Sequence, residues 1–498
     1  MIDSTTTNTV NAKRSFSKSE VVFAWFCILA GFLFCKSFPA FFFPLGGFMF
    51  LVLLYLFTTI ILFIKKAQFS VYSVFVALSS LAVSSALVFS SNGFIHFLAF
   101  TYAFAAYCYF VYISGGNSVD KNVSDFIFVD FFKALFVMPF RSIIDVFKAL
   151  WPKSNKGVFS LLGKVLLGIV VAIIPTVIVL SQLSYDSGFV TMFKKIFALD
   201  FVSVVTNLFS LIFGIPVGAF IYGAFMSSVD QRCKGVITRT GCSEMSYACK
   251  FVPGVTAISA TIPILVLYVV FFISQWEYYL SAFTGVLPNT LSYAAYAREG
   301  FFQLCFVSLI NLIIIFTLHL FMKRSGKSSV VSLRIISVIY SVFTLALIST
   351  AVSKMLLYIN NKGLTQKRVY STWFMLVVAV IFILVIIKQI FPRFKLGFAS
   401  LFVSVILFSV LFVSNPDALI ARYNVEQCLN GKFEVEDIES ITKLGDSAVP
   451  YAAKIYEKTG DFEEFLINEK EAMKDDGIFR YTLPKIKAKR VLENLKID

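Results

Sequence analysis

Long apolar runs, separated by short polar segments, make up most of the chain. A helix needs roughly 20 apolar residues to cross a hydrocarbon core about 30 Å thick. On this criterion the pattern predicts about eleven transmembrane helices. They cover approximately residues 21–35, 41–64, 69–90, 94–113, 159–182, 201–226, 255–279, 300–322, 331–357, 370–391 and 398–414. The predicted fold is therefore all-α, a polytopic transmembrane helical bundle.

The apolar segment 126–150 has a different pattern. At about 100° per residue its charged side chains fall within a stripe about 120° wide, with apolar residues elsewhere. These charged residues are Asp130, Lys133, Arg141, Asp145 and Lys148. The stripe favours an amphipathic helix lying in the membrane surface. If the segment crosses the membrane instead, every later loop and the tail lie on the opposite side of the membrane.

The two ends of the chain are polar. Residues 1–20 predict a disordered cytoplasmic segment, and residues 415–498 predict a small soluble helical tail. Asn415, Pro416 and Asp417 are typical of a helix start, and Gly431 is a stop signal. Further tail helices are predicted near 435–444, 446–459, 461–475 and 484–496.

Composition supports membrane residence. Hydrophobic residues make up 58% of the 498 positions and charged residues only 15%, against roughly a quarter charged in soluble domains. Residues 1–414 carry a net charge of +19 and the tail carries −4. Because the positive charges lie in short loops between apolar spans, they set orientation. Nucleic acid is not an expected partner.

The loop charges predict which end faces the cytoplasm. If the N-terminus is inside, the inner segments hold 21 Lys and Arg residues and the outer loops hold 7. Cytoplasmic loops are enriched in these residues, so the N-terminus is predicted to be cytoplasmic. An odd number of spans then places the tail outside.

The span at 201–226 contains small residues at four-residue intervals, Ser210, Gly214 and Gly218, with Pro216 among them. This spacing forms a groove that favours close helix packing. A hinge or a substrate path is the alternative, which the nearby Asn207 keeps open.

The chain lacks the motifs of common soluble enzymes: a nucleotide-binding glycine loop, a His-Glu zinc motif and a serine elbow. Its two histidines, His96 and His319, lie in or beside apolar spans, where a hydrogen-bonded histidine is more common than a metal ligand. Cys233, Cys242 and Cys249 share a loop but match no common zinc spacing. We therefore predict no metal and no cofactor, and the sequence does not favour an enzyme.

Polar residues gather at the predicted outer ends of several spans, where their acids and bases can pair. A charge within the bilayer is costly and needs a partner or water. The cluster forms interfacial anchors, a structural clasp for the tail or a polar pocket, and no catalytic residue is assigned within it. Its members are Glu277, Tyr296, Arg298, Glu299, Lys354, Tyr358, Thr365, Arg368, Asn415, Asp417, Arg422 and Asn424.

Three sequence blocks in this region carry a resemblance. The first, 296–303, reads YAREGFFQ, and the third, 415–424, reads NPDALIARYN. The second, within 355–368, consists of MLLYI at 355–359, GLT at 363–365 and Arg368. They resemble the signature blocks of a bacterial polytopic membrane family catalogued as a domain of unknown function, over roughly residues 255–430. The resemblance implies a location in the bacterial cytoplasmic membrane, and it implies nothing about a substrate.

The leading functional hypothesis is a non-enzymatic binding or accessory protein of the cell envelope. Its outer cluster and tail would bind membrane lipids, an envelope protein or a lipid-linked precursor. Such binding would also suit a step in the transport of that partner. The prolines and glycines within spans suggest a transporter or lipid translocator as one alternative. The other is a membrane transferase, with Glu277, Glu299 or Asp417 as base and Arg298, Arg368 or Arg422 holding an anionic lipid-linked substrate.

Overall fold

The computed structural model describes most of the chain: residues 16–37, 44–119, 126–150, 201–232, 238–274, 293–473 and 481–495, with a few isolated positions between them. Within 201–206 and 293–300 it describes the backbone alone. These residues form helices and no strand, apart from one isolated bridge between Val252 and Met322. The predicted all-α class is confirmed.

The membrane part contains fifteen described α-helices. The first eight are α1 (Lys18–Ser37), α2 (Pro44–Ile64), α3 (Val71–Ser84), α4 (Ala86–Phe89), α5 (Gly93–Ser114), α6 (Ile127–Phe132), α7 (Met138–Arg141) and α8 (Asp145–Leu150). The others are α9 (Phe201–Val229), α10 (Arg239–Ala248), α11 (Gly254–Ser274), α12 (Tyr293–Phe321), α13 (Lys327–Lys362), α14 (Gln366–Ile390) and α15 (Leu396–Val413).

Ten helical stretches among the described residues are long and apolar enough to cross a membrane. They match ten of the predicted spans, and the predicted span at 159–182 lies largely outside the described residues. Two helices are longer than their apolar runs, since α12 begins at Tyr293 and α13 extends to Lys362. The backbone hydrogen bonds of a helix continue into polar sequence, so hydropathy marks the part that crosses lipid and not the helix end.

The small residues of α9 pack directly against α1. A Cβ added at Gly214 would lie 2.7 Å from Phe32 Cα, and one added at Gly218 would lie 2.5 Å from the Cys27 carbonyl oxygen. On the facing helix, a Cβ at Gly31 would overlap the Gly214 carbonyl oxygen. The two backbones therefore touch, which confirms the predicted packing groove.

Segment 126–150 is helical but broken. A π-helical turn at Lys133–Val137 separates α6 from α7, and a bend separates α7 from α8. Three of its charged residues, Asp130, Lys133 and Asp145, are buried against the other helices. Its exposed face is apolar and includes Phe128, Phe132, Phe136, Phe140 and Ile144. These three charged residues thus face the protein, whereas Arg141 and Lys148 are exposed. The position of the segment relative to the membrane stays a prediction.

The described membrane helices form two packed groups. One core lies among α1, α2, α5, α6 to α8 and α9, and a second lies among α11 to α14. A smaller cluster joins them, in which Val83, Ala86, Ile95 and Ala99 meet Leu411 and Phe412 of α15. Many large apolar side chains point outward, such as Phe63 and Val255 at 76% and 82% exposure. Lipid covers such a surface favourably, whereas water does not.

The tail forms a third helical unit with its own core. Its helices are α16 (Pro416–Leu429), a 3₁₀ stretch (Glu436–Ser447), α17 (Val449–Thr459), α18 (Glu463–Ala472) and α19 (Leu483–Asn494). The predicted helix near 435–444 is thus a 3₁₀ segment that continues past Gly445, whose φ of 53° breaks the helical path. Gly431 and Gly460 also have positive φ and lie just after helices, which is typical of glycine at a helix end. For Gly431 this agrees with the predicted stop signal.

Candidate functional site

Asp417 lies in the first turn of α16, immediately after the last membrane helix. Asn415 adopts a left-handed conformation with φ of 49°, and its side chain accepts a hydrogen bond from the Ala418 amide at 3.3 Å. Pro416 then occupies the first helical turn, where its missing N–H costs nothing. This turn directs α16 back across the end of the bundle and places Asp417 against it.

Three half-buried side chains from two other parts of the chain meet at Asp417. Its carboxylate accepts hydrogen bonds from Asn92 Nδ2 at 2.8 Å, Gln366 Nε2 at 3.0 Å and the Tyr370 hydroxyl at 3.4 Å. Asn92 is held in place because its Oδ1 caps α5 at the Phe94 and Ile95 amides. We call Asn92, Gln366, Tyr370 and Asp417 the clasp.

Asp417 is only 2% exposed. Burial raises the pKa of its carboxyl group, while the hydrogen bonds from Asn92, Gln366 and Tyr370 oppose that shift. Among the described residues no cation pairs with it. Its charge is therefore held by neutral donors alone, and this is an expensive way to bury a carboxylate.

Asn424 makes a second junction, two turns further along α16. It accepts a hydrogen bond from the Leu364 amide at 2.7 Å and donates to the Leu364 carbonyl at 2.8 Å. The neighbouring Gly363 has a φ of 70°, and a Cβ there would lie 2.7 Å from Asn424 Oδ1. The glycine is thus required both for the turn between α13 and α14 and for the approach of Asn424.

Arg368 stabilises the same turn. Its guanidinium stacks on the Tyr358 ring, with Cζ 3.9 Å from the ring centroid, and donates to the carbonyls of Lys362 and Gly363. These carbonyls belong to the end of α13 and the residue after it, where a cation interacts favourably with the helix dipole. Thr365 lies at the start of α14, but its side chain makes no capping hydrogen bond.

The remaining predicted residues are placed differently. Arg422 is exposed and pairs with Glu426 one turn along α16, at 2.7 Å, which raises the pKa of Arg422. Lys354 is buried within α13. Glu277 lies outside the described residues. Tyr296, Arg298 and Glu299 belong to the first turns of α12, where the backbone alone is described.

The structure therefore brings together two of the predicted blocks, 355–368 and 415–424. It adds three clasp residues that the sequence analysis missed: Asn92, Gln366 and Tyr370. The short polar turn at 90–92, Ser-Ser-Asn, carried a signal, because Asn before an apolar run is a typical helix cap. Nothing in the sequence links it to a residue more than three hundred positions away.

Two further contacts join the tail to the membrane helices. Ser91 and Thr482 share a hydrogen bond at 2.9 Å between their hydroxyls. Lys362, the last residue of α13, forms an ion pair with Asp437 at 2.9 Å, which lowers the pKa of Asp437. The tail is thus attached at the turn before α5, at the α13–α14 turn and at its own beginning.

The fold and this junction define a multi-pass integral membrane protein whose helical tail has its own core and packs against one end of the membrane helices. The chain belongs to the family described as Domain of unknown function (DUF4153), whose model matches residues 74–455. The match extends the resemblance of 255–430 to most of the N-terminal spans and into the tail. Comparisons with curated proteins and with solved structures give no match.

Proposed function

We propose that this protein is a non-enzymatic binding protein of the bacterial cell envelope, whose tail is a docking module held on the membrane helices by the clasp. The observation that carries this proposal is the use of the outer polar residues. Asp417, Asn424 and Arg368 all make hydrogen bonds within the protein. Asp417 and Asn424 hold the tail on the membrane helices, and Arg368 stabilises the turn that Asn424 contacts. These residues therefore have a structural role that supports the tail.

The same contacts disfavour the transferase alternative. A general base needs to reach the proton that it removes, and Asp417 is enclosed with both oxygens accepting hydrogen bonds. In the described part of the chain, neither Arg368 nor Arg422 contacts Asp417. Neither of these two arginines would therefore hold an anionic substrate beside this acid.

The tail has the properties of a preformed binding surface. Its core contains Ile441, Val449, Ala452 and Leu466, all fully buried, so its shape does not depend on a ligand. Charged residues such as Glu464 and Lys489 are exposed on its outer helices. A rigid module presents such groups to a partner at a low entropic cost. The proposed location is the bacterial cytoplasmic membrane, with the tail on the extracytoplasmic side.

Site-specific photo-crosslinking in cells tests the proposal. A photoreactive amino acid at Glu464 or at Lys489 should give a discrete adduct with one envelope component. Asp417→Ala leaves the three clasp donors without their shared acceptor, at a cost of about 1–3 kcal/mol for each unsatisfied group. It should abolish or displace the adduct while membrane insertion stays normal.

Arg422→Ala is the matched control, because Arg422 lies on the same helix but is exposed and, among the described residues, forms its ion pair with Glu426. This variant should crosslink as the unaltered chain does. If neither position gives an adduct, the tail is not a docking module. An adduct that survives Asp417→Ala unchanged would show that the clasp does not support binding.

A further inference from the structure

A cavity of about 790 Å³ lies at the other end of the first helix group from the clasp. Asn92 precedes α5, whereas Ser114 ends it, and a helix of this length separates them by roughly 32 Å. The walls come from the α2–α3 turn, the end of α5, the π-helical turn and the chain following α9. Its volume falls within the range of small-molecule sites, roughly 300–1,000 Å³.

The charged side chains that line the cavity are all basic among the residues described there. They are Lys65, Lys66, Lys133, Lys234 and Arg239. Lys65 is already paired with Glu20 at 2.8 Å, and Lys234 donates to the side-chain oxygen Oε1 of Gln231 at 2.9 Å. Exposed Lys66 has no ion pair within the described part of the chain. The cavity therefore has an excess of positive charge.

Lys133 is the most unusual of these cations. It is 1% exposed, and its Nζ lies 5.7 Å from the centroid of the Tyr112 ring. No described acid pairs with it. The nearby Asp130 instead accepts hydrogen bonds from the Tyr112 hydroxyl at 2.7 Å and the Val119 amide at 3.0 Å. A buried ammonium group without an anion is costly, and an anionic ligand would remove that cost.

Two buried polar atoms in the same wall also lack partners among the described residues: Ser114 Oγ and Asn117 Oδ1. Both residues are 1% exposed and line the cavity. Asn117 Nδ2 donates to the Ser228 carbonyl at 3.0 Å, so the amide is oriented and its oxygen faces away from that carbonyl. An unsatisfied buried polar atom costs about 1–3 kcal/mol. A ligand hydroxyl would satisfy Asn117, and Ser114 would donate to an anion.

Loop lysines that set membrane orientation do not account for these features. The orientation rule concerns cations in loops near the ends of spans, and it requires neither a buried lysine nor two unpaired polar atoms beside it. We propose that the cavity binds a phosphate ester that also bears hydroxyl groups. Lysines attract the phosphate of such a ligand as point charges. Ser114 donates a hydrogen bond to a phosphate oxygen, and Asn117 accepts one from a ligand hydroxyl. An anionic lipid head group and a soluble polyol phosphate share this chemistry.

Binding to the purified full-length protein tests the proposal and separates the two sources. Glycerol 3-phosphate, inorganic phosphate and glycerol are titrated into protein in detergent by calorimetry. Phosphatidylglycerol and phosphatidylcholine are compared as probes in nanodiscs by native mass spectrometry. Tight binding of glycerol 3-phosphate supports a soluble ligand, and retention of phosphatidylglycerol over phosphatidylcholine supports a lipid head group.

Variants locate the site. Lys133→Met and Lys66→Met should each weaken the preferred probe roughly tenfold or more, the loss expected for one charge-assisted contact. Lys66 is exposed, so its variant stays informative if the buried Lys133 variant does not fold. Asn117→Ala should reduce the preference for glycerol 3-phosphate over inorganic phosphate, because Asn117 is the residue that accepts from the ligand hydroxyl. Arg393→Met, an exposed residue away from the cavity, should bind as the unaltered chain does. Failure to bind either probe, or equal binding by the lysine variants, would overturn the proposal.

Discussion

Asp417 is a buried carboxylate at the junction between the tail and the membrane helices. Three neutral donors surround it, and these groups share its negative charge without cancelling it. An arginine in their place would make a stronger pair but would itself need desolvation. The neutral arrangement makes the junction sensitive to the protonation state of one group.

We expect the stability of the junction to depend on pH through Asp417. Burial raises its pKa above the ordinary value of 3.8, so the folded chain keeps the proton to a higher pH than the unfolded chain. The free energy of unfolding therefore falls as pH rises from about 3.8 through the raised pKa. Asp417→Asn removes this titration. Its melting temperature relative to that of the unaltered chain should rise as pH increases across this window.

Thermal denaturation in detergent between pH 4 and pH 8 measures this difference. Other acids, including Asp437, titrate in both proteins and cancel in the comparison. A melting-temperature difference that is constant over the whole range would show that Asp417 does not titrate in the folded chain as its burial implies.

At the scale of elements, close backbone contact decides how the membrane helices pack. Lipid is as apolar as leucine, so helices in a membrane associate through fit and hydrogen bonds instead of burial of apolar surface. Gly214 and Gly218 have no side chains, so they allow the backbones of α9 and α1 to come into direct contact. In the second group, Asn311 accepts a hydrogen bond from the Tyr268 hydroxyl and donates to Thr344 Oγ1 at 2.9 Å, which links α11, α12 and α13.

We expect Gly214→Ala and Gly218→Ala to separate α9 from α1. The added Cβ would lie 2.7 Å and 2.5 Å from backbone atoms of α1. A backbone atom cannot relieve such a clash by a rotamer change, as a side chain can. Overpacking of this kind costs about 1–3 kcal/mol, measured as a lower melting temperature of the purified protein.

Gly47→Ala is the control for this substitution. It also lies in a membrane helix, α2, but its Cβ would lie 3.5 Å from Leu87 Cδ1, an ordinary contact. This variant should melt as the unaltered chain does or slightly higher. Equal melting temperatures for all three variants would contradict direct contact between α1 and α9.

On the scale of the whole molecule, the polar turns lie at two opposite ends of the membrane helices. The turn at 90–92, the α13–α14 turn and the start of the tail meet at the clasp. The α2–α3 turn, the end of α5 and the end of α9 meet at the basic cavity. Successive turns of a multi-pass chain lie on alternate sides of the membrane, as these two sets do. The excess of Lys and Arg in the loops of the cavity end predicts that this end is cytoplasmic.

Cysteine labelling tests that orientation. Five described spans, α11 to α15, separate Arg239 from Glu464, so the two positions should lie on opposite sides. In a chain without its native cysteines, Glu464→Cys should react with an impermeant maleimide on intact cells. Arg239→Cys should react only after permeabilisation. The reverse pattern would invert the predicted orientation, and labelling of both from one side would contradict the crossing number.

The sequence by itself determined the apolar spans, the helical class and the tail turns, because hydropathy, caps and glycine stops act locally along the chain. It also indicated which blocks near residues 355–368 and 415–424 carry polar groups. Only the tertiary structure decided what those groups do. Asp417 meets Asn92 across 325 positions, Lys133 turns inward instead of outward, and Gly214 meets Phe32. Such pairings depend on how helices pack in three dimensions, and no local pattern encodes them.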